Sequence, residues 1–340
     1  MNIFVFTTAF APSVGGIERV AAMLCREFVA QGHQVVLATT TPRGEHDDDA
    51  LPYPVLRRPG LAAMMRALRA CDVHLQANVA LKYAWPRLAA PDRFVYQHNN
   101  VYQRDDGTLA PADRLKRAVA RATPGIANSR YTARKLGSAY AIANPYDHGT
   151  FRAHAPWNER PGDLVFLGRL VSQKGADVLV RALGRLRGDG RAPSLTIIGD
   201  GPDRGELERL AGETGTHGQI RFTGALAGEA LVRELNAHRI FVAPSSYEEP
   251  FGIVALEALA CGCVPIVSER GGLVDAIGPH GVTFPNGDDA ALAAWLAEVL
   301  DRPAAAHARL DGVETHLAAH RADRVAARYV EVFEEIRQRR

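Results

Sequence analysis

Residues 244–261 read PSSYEEPFGIVALEALAC, and an apolar run, Arg239-Ile240-Phe241-Val242-Ala243, leads into them like a buried strand. Pro250 suits a first helical turn, Gly252 lets a ligand approach the backbone, and Ile253 to Ala260 is apolar on nearly every side, as a buried helix requires. Glu249 stands just before that helix. Glu257 lies roughly 7 Å along the axis from Gly252, with a side chain leaning back toward the helix start. The free N–H groups of the first turn attract phosphate, and each carboxylate accepts hydrogen bonds from a sugar diol. The stretch therefore suits a diphosphate with a hydroxylated sugar at either end. A buried helix with one incidental Glu is the other reading. Against it stands the cost of an ionised carboxylate in so apolar a helix unless the charge is paired or solvated.

Around this stretch the second half alternates apolar runs with helical patterns. Residues 164–167, 195–198, 220–222, 240–243, 264–267 and 282–284 read as strands. The first half shows the same alternation, with strands over 3–7, 34–38, 73–76, 94–97, 125–127 and 140–143 and helices such as 17–30. Alternation of this kind means parallel sheets covered on both faces, an α/β fold of two Rossmann-like, doubly wound domains. Ligands of such sheets bind beyond the carboxyl ends of the strands. Asn144-Pro145-Tyr146-Asp147 breaks the pattern, and residues 151–162 are rich in Pro, His and Trp without helical period, so the linker is expected there. The expected division is 1–156, 157–320, and a C-terminal helix over 321–340. Asp47-Asp48-Asp49 reads as a solvated loop rather than a metal-binding motif, since no buried strand leads into it.

At 340 residues each half is long enough to bury its own core. The first residues form a short buried strand rather than a signal peptide, and no run of about 18 apolar residues exists to span a membrane. Cys25, Cys71, Cys261 and Cys263 read as buried reduced thiols of a cytoplasmic protein; Cys261-Gly262-Cys263 is too tight for a common zinc pairing. The net charge of +2 is unevenly placed: residues 1–156 hold 19 Lys and Arg against 12 Asp and Glu, the remainder 21 against 26. Basic helix-like segments over 114–121 (RLKRAVAR) and 130–135 (RYTARK) suit an anionic membrane surface on the inner face, or equally a solvated Arg-rich face with no partner. No aromatic or Gly interleaving accompanies these charges, which disfavours nucleic acid.

Three further stretches carry chemistry. Gly168-Arg169-Leu170-Val171-Ser172-Gln173-Lys174-Gly175 follows the first strand of the second half directly. Arg169 and Lys174 together offset the about two negative charges of a diphosphate, the Arg as a fork and the Lys as a point charge. Gly199-Asp200-Gly201-Pro202 and Phe222-Thr223-Gly224 end strands as tight turns. Gly15-Gly16-Ile17-Glu18 opens a helix after the first strand; it admits an anion to the helix start, and a structural turn explains it equally well. It is not G-x-G-x-x-G, and no acidic residue ends the second strand, which disfavours a nicotinamide cofactor.

Glu249 to Glu257 resembles the E-x7-E signature of retaining nucleotide-sugar glycosyltransferases of family 4, the group 1 glycosyl transferases, which have the GT-B fold of two domains facing across a cleft. The likeness extends to the G-R-x-x-x-x-K-G segment at Gly168, the G-x-G-P turn at Gly199, the F-x-G turn at Gly224 and the Asn-Pro-x-Asp turn at the linker. It implies transfer of a hexose from a UDP- or GDP-linked donor to a hydroxyl of a glycan or lipid-linked acceptor, by front-face substitution with no metal or other cofactor. Arg169, Lys174, Glu249 and His98 are the implied catalytic residues. Gly15, Gly16, Gly168, Gly199, Gly201, Gly224, Phe251, Gly252, Ile253, Val254 and Glu257 are the implied donor-binding set. The first domain is then the acceptor side, the last helix crosses back onto it, and His98, ending a strand, faces the cleft. Ser129-Arg130 is structural or on the acceptor side, and polysaccharide or lipid-linked assembly is the implied setting. A nucleotide-sugar epimerase of the same fold, or a non-catalytic sugar-nucleotide-binding subunit, are the alternatives.

Overall fold

The apolar runs of the first 146 residues form one seven-stranded sheet. Its strands are β1 (Asn2–Thr7), β2 (Gln34–Thr39), β3 (Val55–Arg57), β4 (Val73–Ala77), β5 (Phe94–His98), β6 (Gly125–Ala127) and β7 (Tyr140–Ala141), in the order β3-β2-β1-β4-β5-β6-β7. Every pairing is parallel. This is a computed structural model, and it describes residues 1–338 apart from Val14 and Asp105. The last two positions of the helix expected over 321–340 therefore lie outside the described residues. Strand β1 is buried from Ile3 to Thr7, because helices cover both faces of a parallel sheet and the strand carries apolar side chains on each. The helix Gly16–Ala30 turns Val20, Leu24, Cys25 and Phe28 inward at helical spacing.

This first unit comprises Met1–Tyr146 together with Ala318–Arg340. The closing helix Ala322–Gln338 buries Val325, Tyr329, Val332, Phe333 and Ile336. Phe333 and Tyr329 meet Phe28, with ring centroids 5.8 and 6.4 Å apart, and the Tyr329 hydroxyl accepts from Gln97 Nε2 at 3.1 Å. Tyr146 pairs with Arg321 where the chain leaves this unit and returns to it.

The second unit, Asp147–Leu317, is a six-stranded parallel sheet. Its strands are β8 (Gly162–Leu167), β9 (Leu195–Ile198), β10 (Ile220–Gly224), β11 (His238–Ala243), β12 (Val264–Ser268) and β13 (Val282–Phe284), ordered β10-β9-β8-β11-β12-β13. Leu164, Phe166, Ile240 and Val242 form its core with Leu179 and Leu183 of the helix Ala176–Gly188.

Three expectations are corrected. The division falls after Tyr146, not at position 156, because the intervening segment is fastened to the second unit. His154 N–H donates to Asn236 Oδ1, the Trp157 indole N–H donates to the Arg239 carbonyl at 2.9 Å, and Arg160 donates to the Cys261 carbonyl at 2.8 Å. Strand β3 was not expected; it is three residues long at a sheet edge. The Asp47 to Asp49 stretch is not simply solvated: Asp48 is mostly buried and binds Arg57 at 2.6 Å, which holds its carboxyl below the usual range.

Candidate active site

In each sheet the chain reverses direction of winding at one place, and in the second unit that place is between β8 and β11. Loops leaving the carboxyl ends of two such strands diverge and leave room for a ligand. The two loops there are Gly168 to Gly175 after β8 and Pro244 to Gly252 after β11, so the topology itself brings together the two segments the sequence singles out. They are stitched to each other. Ser246 N–H donates to the Gln173 carbonyl at 3.0 Å, and Ser246 Oγ donates to the Ser172 carbonyl at 3.2 Å. Gly175, with φ +68°, lies so close beneath the other loop that a Cβ would sit 1.9 Å from the Pro244 carbonyl oxygen, which only glycine avoids.

At this junction Lys174 Nζ stands 2.9 Å from Glu249 Oε2, and the other carboxylate oxygen, Oε1, accepts from Ser245 Oγ. The Glu249 side chain is 6% exposed and that of Lys174 25%. Lys174 also lies 5.5 Å from the centre of the Tyr247 ring. Burial alone pulls the ammonium's pKa down, but Glu249 and Tyr247 more than offset it, so the group is held above its ordinary value and stays protonated. A cation thus anchored beside an open loop is in place for an anionic ligand.

The helix Ile253–Ala260 begins at Gly252, whose φ of +95° puts it in the left-handed region, and no side chain caps that end. A Cβ on Gly252 would lie 3.8 Å from Glu249 Oε2, so the carboxylate sits beside the helix start. Gly272 N–H donates to the Glu249 carbonyl at 2.6 Å and Glu249 bridges to Gly271, which fixes the backbone under the carboxylate. Phe251 and Ile253 are buried, Val254 half-buried, and Glu257 is only 2% exposed, inside the helix.

The glycine turns of the neighbouring strands pack against the first loop. Gly168 N–H donates to the Ile198 carbonyl at 3.0 Å, Gly199 N–H to the Gly224 carbonyl at 2.8 Å, and Leu170 N–H to the Asp200 carbonyl at 3.0 Å, just before Gly201. Arg169 is exposed at this turn and, among the described residues, forms no ion pair. Two residues went unnoticed in the sequence. Ser245 orients Glu249, and Asn286, after β13, donates from Nδ2 to the carbonyls of Ser245 and Tyr247 and so holds the loop. The Pro-Asn-Gly context of Asn286 reads as a turn, which hid it.

The remaining site residues belong to the first unit. Gly15 precedes the helix Gly16–Ala30 without a side-chain cap; Glu18 curls back over it and accepts from Ser13 Oγ at 2.9 Å. Ser129 caps the helix Arg130–Leu136 by accepting from Thr132 N–H, a structural role. His98, expected to face the cleft, has its ring buried within the first unit. The ring is 1% exposed, with Nδ1 2.9 Å from the Tyr102 hydroxyl and Nε2 against Gly125, and burial pushes its pKa down to about 4. It is neutral at pH 7. Among the described residues no group of three or more His, Cys, Asp or Glu is placed to hold a metal ion.

Residues 147–311 match the model of the glycosyl transferases group 1, and residues 14–145 that of glycosyltransferase family 4. The GDP-mannose-dependent alpha-(1-6)-phosphatidylinositol monomannoside mannosyltransferase of Mycolicibacterium smegmatis is 33% identical over 309 residues, covering 78% of this chain and 80% of that protein. The glycogen synthase of Mycobacterium tuberculosis is 38% identical over 161 residues, 47% of this chain but only 39% of the synthase, so the chain spans less than half the length of that relative. Among solved structures, Anabaena HepE in complex with UDP and glucose shares the fold at a TM-score of 0.78 and 16% identity, over 98% of this chain and 99% of that one. With two parallel sheets, the matched models and a relative aligned over most of its length, the chain belongs to the group 1, family 4 glycosyl transferases and has the GT-B fold.

Proposed function

We propose that this chain is a retaining hexosyltransferase that moves a sugar from a nucleoside diphosphate to an acceptor hydroxyl without a metal. The observation that carries the reading is the Lys174–Glu249 pair, 2.9 Å apart, beside the uncapped start of the helix Ile253–Ala260. The helix N–H groups from Phe251 to Val254 take the diphosphate, Arg169 and Lys174 offset its charge, and Glu257 accepts from the ribose diol. Glu249 grips hydroxyls of the donor sugar, and the turns at Gly168, Gly199, Gly201 and Gly224 border the base. Gly15 and Gly16 are assigned to the donor phosphate or the acceptor on the family resemblance alone. The buried His98 ring is left out.

In the reaction the bond from the anomeric carbon to the diphosphate oxygen breaks while the acceptor oxygen bonds to that carbon on the same face. The acceptor proton passes to the departing phosphate. Negative charge grows on the leaving group, so cations fixed beforehand by Glu249 and the loop stabilise the transition state more than the bound donor. The mycobacterial relative's GDP-mannose and the UDP bound by Anabaena HepE leave both bases as candidates. The acceptor is a glycan or lipid-linked hydroxyl, reached from the cytoplasmic side, and the basic segments of the first unit give peripheral contact with an anionic membrane. No described helix is long and apolar enough to cross a membrane.

Thermal unfolding with UDP and GDP tests the reading. At 100 times its dissociation constant the correct nucleotide stabilises the protein by about 2.7 kcal/mol, and NMR of the product shows the anomeric configuration of the donor retained. Stabilisation by neither nucleotide, or an inverted product, would overturn it.

A further inference from the structure

Asn286-Gly287 is the one Asn-Gly pair in the chain, and it follows β13 directly. The Asn286 carboxamide ties two neighbouring loops together. Its Nδ2 donates to the carbonyls of Ser245 and Tyr247 at 3.1 and 3.2 Å and to that of Arg270 at 3.4 Å, while Oδ1 accepts from Arg270 N–H at 2.9 Å. Ser245 in turn holds Glu249 Oε1, and Gly271, the residue after Arg270, bridges to Glu249. The ties of this one amide therefore converge on the backbone that carries Glu249.

The same pair is chemically labile. A glycine after asparagine leaves its backbone nitrogen unshielded by a side chain. Gly287 is exposed, with φ +79°, and among the described residues its N–H has no acceptor. That nitrogen attacks Asn286 Cγ: a new N–Cγ bond closes a cyclic imide, the Cγ–Nδ2 bond breaks, and ammonia leaves with the Gly287 proton. Water then opens one of the two C–N bonds of the ring and gives aspartate or isoaspartate. Water is the co-reactant, and nothing is oxidised or reduced.

Either product reverses the tie. An ionised carboxylate has no donor, so the carbonyls of Ser245 and Tyr247 lose their hydrogen bonds and face a negative oxygen instead. The loop is pushed away, and Glu249 and Lys174 lose the placement that the site depends on. We propose that Asn286 is a site of spontaneous modification, whose conversion to aspartate or isoaspartate releases the loop from Pro244 to Gly252 and inactivates the protein with age. Because Nδ2 must first leave its carbonyls, the rate follows local opening of this loop, and a ligand that closes the loop slows it. The word inactivates rests on the transferase reading; the modification and the loop release do not.

Incubation of the full chain at mildly alkaline pH, with peptide mass mapping at intervals, tests the proposal. The expected result is a mass gain at Asn286 ahead of every other asparagine, with consumption of UDP-glucose or GDP-mannose lost in step. Both changes are slowed by whichever of UDP and GDP stabilises the protein, and by Gly287→Asn, which tolerates the left-handed backbone and hinders the attack. Asn286→Asp, made directly, consumes donor roughly a hundredfold more slowly, the loss that a misplacement of about 1 Å brings, and changes the NMR titration of Lys174. Should that variant fail to fold, the aged protein, folded before it was modified, gives the same reading. No modification at Asn286, or full activity and an unchanged Lys174 in the modified protein, overturns the proposal. If the unmodified protein consumes neither nucleotide sugar, the transferase reading fails instead, and the mass map and the Lys174 titration still decide the proposal.

Discussion

Lys174 owes its charge state to two neighbours. Burial disfavours its ammonium, and the Glu249 carboxylate 2.9 Å away, with Tyr247 second, reverses that. In Glu249→Gln the burial remains and the nearest opposite charge is gone, so the lysine pKa falls. NMR titration of a labelled lysine Nζ reads this directly, and an unchanged titration would mean the pair does not persist in solution. Lys174 and Glu249 were legible in the sequence because each is polar, follows a buried strand, and belongs to a loop whose position the βα alternation fixes. His98 was not. Both faces of β5 are buried, so the side-chain alternation that tells inside from outside on a one-faced strand says nothing here, and the ring turned toward Tyr102 and Gly125.

At the scale of elements, β4 and β5 each carry a buried neutral histidine. His74 lies between Phe4 and Phe94, ring centroids 4.8 and 4.7 Å away, with neither nitrogen hydrogen-bonded among the described residues. Burial pushes its pKa down to about 3, and that of His98 to about 4, from an ordinary 6.5. Between those values and 6.5 the unfolded chain binds protons that the folded chain refuses. Stability is therefore full above pH 6.5 and declines as pH falls below it, by a few kcal/mol in all at pH 5. Urea midpoints at pH 7 and pH 5 measure the difference, and His74→Leu removes roughly half of it while raising stability at both. Equal midpoints for the unmodified protein would show that these rings are not buried neutral. Long apolar strands such as β1 and β11 were readable from composition. Strand β3 was not, since Pro54 and Pro59 flank three residues that gain strand geometry only by pairing with β2. The linker misled for the opposite reason: its Trp and Pro read as loop, but Trp157 and Arg160 hydrogen-bond into the second unit.

At the scale of the whole molecule the first unit is discontinuous, closed by a helix more than 170 residues after the rest of it. Tyr329, buried against Phe28 and bonded to Gln97, links that helix to the sheet. Tyr329→Ala is expected to cost about 3–5 kcal/mol. Hydrogen exchange then shows faster opening of β1 to β6 with β8 to β13 unchanged; uniform loss across both sheets would contradict the division into units. The transferase reading, by contrast, concentrates its donor chemistry in the second unit, and one measurement tests it most directly. Under single-turnover conditions, with the nucleotide sugar saturating and acceptor present, Lys174→Ala is expected to consume donor about 10²–10³-fold more slowly than the unmodified protein, while its affinity for that donor changes far less. An unchanged rate at saturation, with only the affinity reduced, would contradict the claim that Lys174 stabilises the departing diphosphate.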